Sequence, residues 1–308
     1  MKLNPIHRAL SHAAVVSIRG LGAVVRILPP VIWGVLASTL TPFLWLFLSR
    51  YRKRTLKNLM DSGRSRSEAR HLGMASFRSN LLVLFESLAM QRLIERRGVR
   101  VERRISPRAK KTFKRIIAGE EPIVVGVLGH VGMWELMGAE AARMLAPATI
   151  AVSARLVKNP IIADYIVKLR KNYGIKLIEK EAMMRYIIKM MRKEVPHVYV
   201  FLCDQHFRNG EKIPFMNRKA CTVSMPGTLA LKYNTPLFMG RCIRRAPGDY
   251  LVDIDLLDLA PYAHMNRKDA VRSVTAKINA YIEESIKMAP EQWTWGHRRW
   301  RHCCEETP

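Results

Sequence analysis

The chain has 308 residues, 49% of them hydrophobic, which excludes global disorder and suits one α/β domain of ordinary size with added helices. Lys and Arg number 52 against 25 Asp and Glu, a net charge of +27 that attracts polyanions: nucleic acid, anionic lipid head groups or an acidic protein. No run of alternating basic and aromatic residues resembles an RNA-recognition strand, so nucleic acid is the weakest of these partners.

Near the N-terminus, Ala13, Val15, Val16, Ile18, Leu21, Val24 and Val25 give a mostly apolar helix with sparse cations, suited to lying in a membrane interface. Residues 31–49 (VIWGVLASTLTPFLWLFLS) carry no charge, and as a helix they reach about 28 Å, close to the hydrocarbon thickness of a bilayer. Pro42 falls inside this run, while Trp33 and Trp45 stand toward its ends, as interfacial anchors do. A spanning helix and a buried or re-entrant hairpin broken at Pro42 both fit. The segment Arg50-Tyr51-Arg52-Lys53-Arg54, with Lys57, then faces the cytoplasm by the positive-inside rule, although Lys2, Arg8, Arg19 and Arg26 reduce the bias. Residues 1–55 are therefore expected to form a membrane anchor and 56–308 a cytoplasmic domain.

Residues 64–118 are rich in cations and read as helices, one of them starting at the cap-type pair Ser79-Asn80 and continuing apolar to Met90. That helix suits either the core or the bilayer surface. Beyond it, strand-like runs at 123–128, 148–152, 176–178, 197–202, 235–239 and 250–255 alternate with amphipathic stretches such as 159–172 and 182–193. The alternation predicts an α/β fold, a largely parallel central sheet flanked by helices. Walker A, G-x-G-x-x-G and G-x-S-x-G patterns are absent, which argues against a nucleotide cofactor and a serine acyl-enzyme. The five cysteines, Cys203, Cys221, Cys242, Cys303 and Cys304, lack C-x-x-C spacing; free thiols in a reducing compartment are expected, and a metal is not.

The candidate chemistry starts at His130-Val131-Gly132-Met133-Trp134-Glu135, where the 123–128 strand hands over to a helix over 135–145. That is the sheet edge at which α/β folds hold ligands. A neutral imidazole takes a proton from a hydroxyl, and a carboxylate partner stabilises the imidazolium that forms. Arg155 follows the next strand and suits a phosphate or an oxyanion, or else is simply solvated. Asp204-Gln205 ends the 197–202 strand, either as a functional carboxylate or as a turn cap. Arg208, Lys212, Arg218 and Lys219 then place cations in or near one loop, as an anionic ligand or plain solvation requires. The stretch 290–300, PEQWTWGHRRW, reads either as interfacial indoles or as a terminal element packing on the domain, with His297 a secondary candidate base.

Taken in order, these segments resemble the late (secondary) acyltransferases of lipid A biosynthesis, within the lysophospholipid acyltransferase superfamily. Gly129-His130-Val131-Gly132-Met133-Trp134-Glu135 looks like that family's G-H-F-G-N-W-E block; Arg155 with Asn159-Pro160 is similar to a second. Asp204-Gln205, Gly210 and Ile213-Pro214-Phe215 resemble a third, and 290–300 its P-E-Q-W-x-W-x-H-R-R-W ending. Val131, Met133 and Asn217 depart from the pattern, which expects Phe, Asn and Gly. The resemblance implies a glycerolipid-acyltransferase-like fold at the bacterial inner membrane, with no cofactor. It implies His130 as general base, Glu135 as its orienting partner, and Arg155 and Asp204 on the acceptor or oxyanion side. Gln205 and Arg218 join the substrate-binding set. The donor would be an acyl chain on acyl carrier protein, and the acceptor a hydroxyl of an anionic glycolipid, giving an acyl-oxyacyl ester at an anionic membrane surface. Acylation of a lysophospholipid or lipoamino acid is the alternative within this chemistry, and a non-catalytic basic membrane-binding protein the alternative outside it.

Overall fold

The computed structural model describes residues 4–191 and 195–301; Lys2, Cys303, Cys304 and the end of the stretch expected over 182–193 lie outside them. The helices are α1 (Pro5–Ile27), α2 (Pro30–Phe47), α3 (Ser49–Met60), α4 (Arg66–Leu88), α5 (Met90–Ile94), α6 (Pro107–Ile117), α7 (Trp134–Met144), α8 (Pro160–Lys171), α9 (Met183–Met190), α10 (Met225–Tyr233) and α11 (Arg267–Met288). The strands are β1 (Arg100–Ile105), β2 (Ile123–Leu128), β3 (Thr149–Ala154), β4 (Ile175–Glu179), β5 (His197–Leu202), β6 (Glu211–Phe215), β7 (Arg218–Thr222), β8 (Leu237–Ala246) and β9 (Asp249–Leu256).

Seven strands form the central sheet in the order β1-β9-β8-β2-β5-β3-β4, and all neighbours are parallel except the β8–β9 pair. The expected largely parallel α/β architecture is observed. Every residue of β2 is buried, as its continuous apolar run requires of a strand covered on both faces. Val125 and Val127 point into the core shared with α10 and α11, while Val124 and Leu128 belong to the core under α6 and α7. Three strands lay outside the sequence expectation. The charged β1 (RVERRI) sits at the sheet edge inside the region read as helical, and the β6–β7 hairpin is short and polar. Its turn residues Met216 and Asn217 both have positive φ (51° and 61°), so Asn217 fills a left-handed position where the family pattern has glycine.

Helix α4 begins at Arg66, well before Ser79, because Ser65 and Glu68 form a reciprocal capping box. Its buried Glu86 accepts from Arg244 Nε on β8 at 2.5 Å and from the Tyr250 hydroxyl on β9 at 2.8 Å, fastening the helix to the sheet. The N-terminal helices pack on this frame: α2 lies along α4, and α1 touches α4, α5 and α8. The expected boundary at residue 55 falls inside α3. Trp33 and Trp45 are buried, correcting their reading as interfacial anchors. Trp33 donates its indole N–H to the Val25 carbonyl at 2.8 Å, and Trp45 meets the Phe77 ring edge-on. The opposite faces of α1 and α2 expose Leu10, Val16, Ile27, Val31, Val35, Phe43, Leu46 and Phe47, and both helices are long and apolar enough to cross a membrane. Cys203 and Cys242 are buried free thiols, whereas Cys221 is disulfide-bonded, against the expectation of free thiols.

Candidate active site

Strands β2 and β5 run parallel with Leu128 opposite Leu202. His130 and Asp204 each lie two residues beyond that pair, so the register alone delivers both to the same edge of the sheet. The loop between β2 and α7 is held by main-chain bonds: Gly132 N–H donates to the Gln292 carbonyl (3.1 Å), and Met133 N–H to the Cys242 carbonyl (2.8 Å). Gly132 has φ of 63°, and a Cβ there would overlap the Cys242 carbonyl oxygen, so this position requires glycine. Val131 and Met133, the departures from the family block, are both buried structural residues of this clamp.

Asp204 is completely buried and accepts three hydrogen bonds: His130 Nδ1 on Oδ1 (2.7 Å), and the His130 backbone N–H (2.9 Å) and Trp293 indole N–H (2.8 Å) on Oδ2. Burial opposes its ionisation. The charge and hydrogen bond of His130, with His297 nearby and the Trp293 N–H, outweigh that and hold the carboxyl well below the usual carboxylate range. A carboxylate only accepts, so the His130 Nδ1 that faces it carries a proton, and in the neutral ring that tautomer leaves Nε2 as the position that can accept one. The Gln205 amide nitrogen lies 3.2 Å from that Nε2 and 3.4 Å from His297 Nε2. The two imidazoles stand edge-to-face with centroids 5.5 Å apart. Burial pushes His297 down to about 4, so it is neutral beside His130 at neutral pH. His130, Asp204 and His297 are also a described grouping whose ligand atoms converge within 4.8 Å. Both Asp204 oxygens accept N–H donors in this grouping.

His130 stands at the wall of a partly open cavity of about 710 Å³ whose lining includes α7 and the central strands. Its lining is largely apolar and also includes Arg155, Arg170, Lys180 and Arg208 with Glu135 and Glu181. Burial and the Arg155 charge lower the pKa of Lys180, whose Nζ lies 3.9 Å over the Phe207 ring. A sequence profile of bacterial lipid A biosynthesis acyltransferases matches residues 2–302. The chain belongs to that family. No curated protein matches it.

Of the residues expected at an acyltransferase site, His130, Glu135, Arg155 and Gln205 line the cavity, and Asp204 lies directly behind His130. The carboxylate on His130 Nδ1 is Asp204, not Glu135. Glu135 sits in the first turn of α7 and is drawn away by a two-point ion pair with Arg170 of α8, through Arg170 Nε at 3.0 Å and through Nη2. Arg218 is also displaced from the cavity: it pairs with Asp61 at 3.1 Å and lies over the Trp300 ring. Sequence reasoning missed Arg170, an unremarked cation in an amphipathic stretch, and Trp293, which holds Asp204. The indoles of Trp293, Trp295 and Trp300 are buried, so the terminal element packs on the domain. Arg299 from the same element donates to the Gln205 carbonyl (2.9 Å) and the Cys221 carbonyl (3.0 Å), with burial pushing its guanidinium down to about 10.

Proposed function

We propose that this enzyme transfers a fatty acyl chain from acyl carrier protein to a hydroxyl of a lipid A precursor, at the cytoplasmic face of the bacterial inner membrane. The observation that carries the reading is a His130–Asp204 pair, with Nδ1 of the imidazole on the carboxylate, at the wall of a largely apolar cavity that Arg155, Arg170, Lys180 and Arg208 also line. His130 Nε2 takes the acceptor hydroxyl proton as that oxygen attacks the thioester carbonyl carbon. The new C–O bond leaves a tetrahedral oxyanion, stabilised by the amino end of α7 and by Arg155. Collapse breaks the C–S bond, and the departing thiolate recovers the proton from the His130 imidazolium. Asp204 supports the charge on His130 throughout, and no covalent enzyme intermediate is needed.

The net charge of +27 favours both an acidic carrier protein and an anionic glycolipid. The exposed apolar faces of α1 and α2, followed by the cations of α3, favour seating on an anionic bilayer with the cavity reachable from its surface. In this reading Glu135–Arg170, Arg155 and Gln205 arrange the substrates at the cavity. The test is mass spectrometry of lipid A from source cells lacking the gene and carrying it back as wild type or His130→Ala. Loss of one acyl chain, restored by wild type alone, supports the reading and names the chain. An unchanged lipid A sinks the acceptor assignment.

A further inference from the structure

The sheet register leaves one gap in an otherwise filled row. On the face that carries α7, Leu177, Val152, Val200, Gly126 and Phe238 stand side by side across five strands. Only Gly126 lacks a side chain, and the cavity opens above it. Nothing in the backbone demands glycine there. Its φ is not in the left-handed region, and a Cβ would meet only Val200 Cγ2 at 3.4 Å and Val198 Cγ1 at 3.8 Å, ordinary contacts. Glycine inside a strand carries a conformational cost and packs nothing in return, unlike Gly132. Gly126 lies four residues before His130, about 13 Å back along the chain at strand spacing. That is where the distal carbons of a chain with its carbonyl at His130 would rest. Met137 of α7 also lines this space, and its Cε comes within 2.7 Å of where a Cβ on Gly240 would be.

We propose that Gly126 sets the length of acyl chain accepted from the thioester donor, with Met137 narrowing the same path from the helix side. The inference rests on the acyl-transfer reading and deepens it. The donor's chain is the committed occupant, because a single unbranched tail follows its carbonyl from His130 along the largely apolar lining past Gly126 and Met137. The acceptor's chains remain in the bilayer.

The experiment offers full-length wild type, Gly126→Ala, Gly126→Val and Met137→Ala an equimolar mixture of saturated donors from octanoyl to octadecanoyl, reading products by mass. In parallel, binding of the corresponding free fatty acids is measured on the His130→Ala form of each. Gly126→Val is expected to lower use of the longest accepted chain about 16-fold relative to one two methylenes shorter, at about fourfold per methylene excluded. Gly126→Ala should shift the profile less and in the same direction, and Met137→Ala toward longer chains. Should Gly126→Val lack a cooperative melting transition, the other two variants decide. Unchanged profiles in folded variants overturn the proposal while leaving the acyl-transfer reading intact. If fatty-acid binding shifts as expected but wild type transfers no chain to lipid A precursor, the chain seat stands and that reading falls.

Discussion

Trp293 donates its indole N–H to the same Asp204 oxygen that accepts the His130 backbone N–H, so the C-terminal element holds the carboxylate that aims the imidazole. Trp293→Phe keeps the buried ring and removes this one donor. A hydrogen bond to a charged group is worth about 1.5–3 kcal/mol, so the melting temperature should fall accordingly. With one fewer anchor on Asp204, kcat should fall by about tenfold while KM for the donor stays put. A loss of stability with unchanged kcat would restrict Trp293 to packing.

The hydrogen bond from His130 Nδ1 goes to Asp204 and not to Glu135, so under the proposed mechanism Asp204 is the carboxylate on which the base depends. Asp204→Asn should lower kcat by about 10⁴-fold, since an amide can hold the wrong tautomer, and His130→Ala should do at least as much. Glu135→Gln leaves the imidazole tautomer alone and breaks the pair with Arg170, so its larger effect should be on KM. Steady-state kinetics of the three variants settle the ranking; a larger kcat loss for Glu135→Gln would return the orienting role to Glu135.

The sheet was legible because β2 and β5 are uninterrupted apolar runs, a signal that burial on both faces imposes on a sequence. Strand β1 was not, because an edge strand with an exposed face keeps its arginines. At the site, His130 and Asp204 were each visible as polar residues ending a strand. Their pairing was not, since it depends on β2 and β5 being neighbours, a fact of strand order separated by 74 residues of chain. Proximity in sequence favoured Glu135 instead. Its true partner, Arg170, lies 35 residues away on another helix and carries no local mark.

Gly132 holds the loop that carries His130 against β8 and the C-terminal element. Gly132→Ala forces a Cβ onto the Cys242 carbonyl at a φ of 63°, so the loop must leave its clamp or β8 must move. Left-handed strain alone is of order 1–3 kcal/mol, and the lost Gly132 and Met133 bonds add to it. Denaturant unfolding should show a drop of at least that strain. Activity should fall in protein that remains folded, because His130 sits two residues away. Normal stability and activity together would show that the clamp does not constrain the loop.

His297 gives the fold a mild acid sensitivity. Its imidazole is held neutral down to about 4 by burial, against the attraction of Asp204, with the charges of His130 and Arg54 adding to the depression; in the unfolded chain it titrates near the ordinary histidine value of 6.5. Between those values the unfolded chain binds the extra proton, so stability rises with pH through this window and is lost as pH falls from 6.5 toward 4. The contribution is of order 3 kcal/mol. Asp204, whose carboxyl is depressed, adds its own loss only below the ordinary aspartate value of 3.8. Chemical denaturation at a series of pH values should therefore show a slope in wild type between pH 6.5 and 4 that His297→Asn flattens. An unchanged slope in that variant would assign the acid sensitivity to other groups and leave His297 ordinary.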